Sequence, residues 1–164
     1  MSEARVALVT GATRGIGQAI ARELGRQGHT VIGTATSEDG ARRIEDDLAA
    51  HSIAGAGMVL NVTDSDAIDQ VLATITERFG APLILVNNAG ITRDNLLMRM
   101  KDDEWDQVLD TNLTSVYRVS KACLKAMTRA RFGRIVNISS VVATLGNAGP
   151  VSYTHLTLPT ICSV

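Results

Sequence analysis

The chain has 164 residues, with 16 Lys+Arg against 17 Asp+Glu and a formal net charge of -1 at pH 7. A balance this even excludes partners held by net charge, so no nucleic-acid and no anionic-membrane surface is expected. With 45% hydrophobic and 20% charged residues, the chain can bury a core, and its short apolar runs fall far below the roughly 20 residues of a membrane-spanning helix.

Taken in order, short apolar runs alternate with longer amphipathic segments, the pattern of β-α units that feed a parallel sheet covered on both faces. The first strand is predicted over Arg5 to Thr10, directly after the N-terminus, with no signal-like segment before it. A cytoplasmic setting is therefore expected. The other strands are predicted at Thr30 to Thr34, Ala56 to Leu60, Pro82 to Asn87 and Gly133 to Ser139. Helices are predicted at Ile16 to Gln27, Glu38 to Ala50, Asp64 to Phe79 and Asp102 to Arg129. Gly28 and Gly80 stand where helix-ending glycines belong.

Thr10-Gly11-Ala12-Thr13-Arg14-Gly15-Ile16-Gly17 joins the first strand to the first helix. That setting turns a glycine spacing into a dinucleotide-binding signature. Gly11 permits the tight turn, Gly15 lets backbone approach a pyrophosphate, and Gly17 allows close packing, while the helix N-terminus offers free N–H groups. Past the second strand the chain reads Gly33-Thr34-Ala35-Thr36-Ser37, with no carboxylate before Glu38 to accept from a ribose 2′-hydroxyl. Thr36 can donate a hydroxyl and Arg14 can meet a 2′-phosphate, so NADP is expected over NAD. Without a ligand, Arg14 reads as a solvated loop residue.

In the longest predicted helix Trp105, Val108, Leu109, Leu113, Val116, Val119, Cys123 and Ala126 form an apolar stripe at three- and four-residue steps. Asn112 interrupts it and, taken alone, reads as a core amide with satisfied partners. Cys123 reads as buried and inert, and Cys123 with Cys162 makes no metal spacing. The composition changes near Pro150. The tail PVSYTHLTLPTICSV has no helical period and no charge.

The glycine loop, Asn87-Asn88-Ala89-Gly90 after the fourth strand, Asn112, and Ser139-Ser140 after the fifth resemble the short-chain dehydrogenase/reductase family. Gly33 to Ser37, Leu60 to Asp64 and Asn88 to Met100 are, more narrowly, similar to bacterial 3-oxoacyl-[acyl-carrier-protein] reductases of fatty acid synthesis. The resemblance spans about Ala4 to Gly149. It implies an α/β, doubly wound, Rossmann-type parallel sheet with helices on both faces, in strand order 3-2-1-4-5 and missing its last strands. Residues 1–149 would form the NADP-binding domain and 150–164 a tail outside the family pattern.

The same resemblance implies residue roles. Gly11, Thr13, Arg14, Gly15, Gly17 and Thr36 would hold the phosphates of NADP(H), Asn61 and Val62 would lie beside the adenine, and Asn88 and Gly90 near the ribose. Ser140 would hydrogen-bond the substrate carbonyl, a tyrosine would give its oxygen a proton as NADPH delivers hydride, and Asn112 would hold a relay water. The substrate would be a 3-oxoacyl chain on acyl carrier protein, docked near Arg129 and Arg131, and the whole enzyme a homotetramer. Those two arginines read equally well as cations favoured at a helix C-terminus.

The pattern breaks at the tail. Tyr153 stands 13 residues after Ser140, at the tyrosine position, but four residues on, where the family has lysine, this chain has Thr157. Val151 to Thr160 also back-translates to a sequence resembling the transposase end used in sequencing libraries, so the authentic protein is expected to stop near Gly149. Two further readings follow: a catalytically inactive dinucleotide-binding fragment, or a reductase of another ketone such as acetoacetyl-CoA. The fifth strand is expected to be an open apolar edge, and the product to be marginal and prone to aggregation.

Overall fold

The computed structural model of the chain describes residues 3–92 and 99–139, and the backbone of 161–163. Its sheet is built from β1 (Val6–Val9), β2 (Thr30–Ala35), β3 (Gly55–Val59), β4 (Pro82–Asn87), β5 (Arg134–Asn137) and β6 (Ile161–Ser163) in the order β3-β2-β1-β4-β5-β6. The five predicted strands are parallel to one another, with Leu8 beside both Ile32 and Leu85, and Leu85 beside Ile135. Two expectations are corrected here. The sheet has a sixth strand, and β5 is not an open edge: β6 pairs with it antiparallel, Arg134 facing Ser163 and Val136 facing Ile161. The tail's lack of any helical period concealed a strand of three residues.

Alternation along the strands sends side chains to two cores. Leu8, Ile32, Leu85 and Ile135 join Ile68, Ile75, Val119, Cys123 and Met127, under α3 (Ser65–Phe79) and α5 (Ser115–Ala130). Val9, Val31, Ala35 and Val86 join Ala21, Ile44 and Leu48, under α1 (Gly15–Arg26) and α2 (Glu38–Ala50). Leu8, Ile32, Leu85 and Ile75 have no accessible surface, and each such burial is worth about 1.5–3 kcal/mol. This two-faced burial is why the strands read as continuous apolar runs.

The predicted helix over Asp102 to Arg129 is two helices joined by a turn of different pitch. α4 (Asp102–Leu109) passes into a π-turn (Asp110–Thr114) and then into α5. The π-turn absorbs an extra residue and shifts the phase of everything after it. The fully buried line on α5 is accordingly Ser115, Val119, Cys123 and Met127, while Val116 and Ala126, predicted to be buried, are only half-buried. Cys123 fits its expected role, since burial pushes its thiol up to about 12 and leaves it protonated. Past α5, Arg131 adopts a left-handed conformation (φ 51°), and its N–H caps the helix on Met127 and Thr128 carbonyls. Among the described residues no helix is long and apolar enough to cross a membrane.

Candidate dinucleotide site

The C-terminal ends of β1, β2 and β4 and the loops that follow them surround a cleft of about 450 Å³. Its position where the strand order reverses between β1 and β4 is where open α/β sheets bind ligands. Gly11, Thr13 and Arg14 form one wall, Thr34 to Thr36 a second, Leu60 to Val62 a third, and Asn88 to Ile91 with Thr111 a fourth. Eight of the ten residues predicted to bind cofactor thus line one cavity; Gly15 and Gly17 stand just behind the loop.

The two glycines behind the loop do different things. Gly15 has φ +59°, and a Cβ built on it meets nothing within 4 Å. Its requirement is conformational, and the space beside it is open. A Cβ on Gly17 would come within 2.4 Å of both the Asn88 Nδ2 and the Gly11 carbonyl oxygen. Gly17 is therefore needed for the close seating of α1 against the loop.

The starts of the helices differ in how their free N–H groups are satisfied. Ser37 Oγ accepts from Gly40 N–H at 3.2 Å to cap α2, and Asp64 Oδ1 accepts from Asp66 and Ala67 N–H at 3.0 and 3.1 Å to cap α3. At α1 the N-cap is Arg14, which makes no side-chain cap, and the first turn has no acidic residue. The N-cap Arg14 lines the cleft, so the positive end of the α1 dipole lies beside it, with no acidic side chain in the first turn to meet it. Among the described residues that line the cleft there is no carboxylate, and Arg14 is the one cation.

A polar frame holds the loop in place. Asn88 donates both amide hydrogens, to the Thr10 and Gly11 carbonyls at 3.0 and 2.9 Å. Buried Thr10 Oγ1 accepts from Asn88 and Ala89 N–H, each at 3.0 Å, and donates to the Val86 carbonyl at 3.3 Å. Asn88 is thus a brace of the glycine loop as well as a wall residue. Thr10 was not among the predicted site residues; its place immediately before Gly11 was the available signal. Next to it, Asn87 Nδ2 donates to Asn137 Oδ1 at 2.8 Å and Ser120 Oγ at 3.2 Å, tying β4 to β5 and α5.

Asn112 sits in the π-turn and closes on one residue of the cleft wall. Its Nδ2 donates to the Ile91 carbonyl and its Oδ1 accepts from Ile91 N–H, both at 2.8 Å. Gly90 lies against it: a Cβ there would be 3.2 Å from Asn112 Oδ1. Ser140 and Tyr153, the other two predicted catalytic residues, lie outside the described residues, as does Thr157. Arg129 and Arg131 are both exposed at the end of α5.

The sequence matches the model of the family described as short chain dehydrogenase over residues 5–155. It is 60% identical over 151 residues to the 3-oxoacyl-[acyl-carrier-protein] reductase FabG of Pseudomonas aeruginosa, and equally so to that of Salmonella typhimurium. Identity to the protein of the same name from Escherichia coli is 58%. Each alignment covers 92% of this chain and 61% of the relative, so the chain spans about three-fifths of the length of the relatives it matches. With five parallel strands in the order β3-β2-β1-β4-β5, a glycine loop opening the first helix and a family match over nearly its whole length, the chain belongs to the short chain dehydrogenase family.

Proposed function

We propose that this chain is the cofactor-binding portion of a cytoplasmic NADPH-dependent reductase that converts 3-oxoacyl-[acyl-carrier-protein] to the 3-hydroxyacyl form in fatty acid biosynthesis. The observation that carries the cofactor reading is the start of α1, with no side-chain cap, beside a cleft whose described lining residues include no carboxylate. The open space beside Gly15 and the cation Arg14 in the cleft wall fit a phosphorylated dinucleotide, and the names of the FabG relatives support the substrate. The binding unit is assigned to residues 1–149; the matched residues beyond it bring in Tyr153.

In this reading Gly11, Thr13, Gly15 and Gly17 shape the loop that holds the pyrophosphate. Arg14 and Thr36 meet the 2′-phosphate by charge-assisted hydrogen bonding. Asn61 and Val62 flank the adenine, and Asn88 and Gly90 the ribose. When bound, the reduced dinucleotide supplies hydride to a carbonyl carbon. Ser140 is assigned to orient the carbonyl oxygen by donating a hydrogen bond, and Tyr153 to deliver the proton to it. Asn112 spends both its amide groups on Ile91, so its side chain positions the wall; any water it holds for proton relay must meet the groups left over. Arg129 and Arg131 are assigned to carrier-protein docking, and the complete enzyme to a homotetramer.

A second reading is favoured by Thr157, which leaves Tyr153 without the family's lysine. There the chain binds the dinucleotide and turns over little. Following NADPH oxidation with an acetoacetyl thioester separates the two, using this chain beside a version whose tail is replaced by a family-like Tyr-x3-Lys ending. Activity in the restored version alone supports the reductase assignment and the second reading for this chain as it stands. Activity in neither, with acyl-carrier-protein substrate also inert, would refute the reductase assignment.

A further inference from the structure

We infer that Arg118 is a positioning residue for the cofactor cleft, a strut that fixes the Asn61–Thr63 loop on one wall to the π-turn behind the opposite wall. The inference deepens the dinucleotide reading above and rests on it. Arg118 Nη1 donates to the Thr63 carbonyl at 3.3 Å and to Asp110 Oδ1 at 2.6 Å.

The two ends of this strut belong to different walls. On the loop side, Asn61 Oδ1 accepts from Thr63 N–H at 3.1 Å and from Thr63 Oγ1 at 2.9 Å, closing a tight turn that leaves the Thr63 carbonyl facing Arg118. Leu60 N–H donates to the Ala35 carbonyl at 2.8 Å, so β2 roots one end of the loop and Arg118 holds the other. On the helix side, Asp110 opens the π-turn, whose next two residues are Thr111, in the cleft wall, and Asn112, clamped on Ile91.

The π-turn itself makes the ion pair possible. Residues eight apart on a regular α-helix point in different directions, whereas residues seven apart lie nearly over one another. The extra residue absorbed between Asp110 and Arg118 brings a spacing of eight onto one helix face. The same irregularity that presents Asn112 to Ile91 therefore also aligns Asp110 with Arg118. The side chains remain 40% and 29% exposed, and a pair this open adds little to fold stability. Its effect falls on the spacing of the cleft walls.

Calorimetric titration of the full chain tests the strut with three probes: NADPH, adenosine 2′,5′-bisphosphate for the adenine half, and reduced nicotinamide mononucleotide for the other half. Arg118→Met is expected to weaken NADPH and the bisphosphate about five- to twentyfold, within the range of coupled neighbours, and to leave the mononucleotide unchanged. Arg118→Lys should recover part of the loss. Asp110→Asn, which keeps its volume, should weaken the same two probes, and the double variant should bind no worse than Arg118→Met alone. Should Arg118→Met fail to fold, Asp110→Asn decides the matter. Wild-type affinity in a folded variant, equal loss for both half-probes, or strictly additive losses would overturn the strut. No binding by the wild-type chain would overturn the dinucleotide reading and the strut together.

Discussion

Asn112 and Ile91 form a reciprocal pair: one side-chain amide satisfies both the N–H and the carbonyl of a single backbone residue, each at 2.8 Å. The pair joins the π-turn to the segment after β4 and so fixes the distance between α5 and the cleft wall. An amide is required because only Asn or Gln carries a donor and an acceptor side by side.

Replacing Asn112 with Ala leaves two part-buried backbone groups without their partner and should cost about 1–3 kcal/mol. A urea titration reads this as a lower midpoint at unchanged slope. An unchanged midpoint would mean that Ile91 finds other partners.

Gly17→Ala places a methyl group 2.4 Å from Asn88 Nδ2 and the Gly11 carbonyl oxygen. The brace on the glycine loop has to give way, at about 1–3 kcal/mol. The variant should also lose the rise in melting temperature that dinucleotide confers on the wild-type chain. A variant that melts lower yet keeps the full ligand-induced rise would separate the brace from the site.

Much of the site is legible in the sequence because a glycine loop between strand and helix has few structural meanings, and because a missing carboxylate after β2 is visible in one dimension. The π-turn is not legible: Asp110 to Thr114 has no composition that distinguishes it from α-helix, and the stripe around it stays apolar in either phase. Only the packed result shows that Ser115 and Met127, rather than Val116 and Ala126, face the sheet. Strand β6 escapes for a different reason, since three residues carry too little periodicity to register.

Arg131 supplies a third test. A non-glycine residue at φ 51° is strained by about 1–2 kcal/mol, and glycine gives back about 0.5–1 kcal/mol of that in backbone entropy. Arg131→Gly should therefore raise stability by about 0.5–1 kcal/mol, read by chemical denaturation. The same variant tests docking: weaker use of carrier-linked substrate, with a small thioester unaffected, would assign Arg131 to the carrier surface.

Acid should loosen the α1–α2 contact. Arg22 Nε donates to Asp47 Oδ2 at 2.9 Å, and this pairing holds the Asp47 carboxyl below its ordinary value, with smaller pulls from His51 and Gln18. A carboxyl depressed in the folded state stabilises fully above its unfolded value, about 3.9, and the gain is lost as pH falls through the folded value. Asp47→Asn should thus melt below wild type at pH 7, with the difference shrinking below about pH 4. A difference that stays constant from pH 7 to pH 3 would remove Asp47 as the cause.

The most direct measurement titrates the purified chain with NADPH and with NADH and repeats both on Arg14→Ala. The account predicts that NADPH binds at least about tenfold tighter, the scale of one charge-assisted hydrogen bond, and that Arg14→Ala removes most of the preference. Equal affinity for the two dinucleotides, or a preference that survives without Arg14, would contradict the assignment of this cleft to a 2′-phosphate.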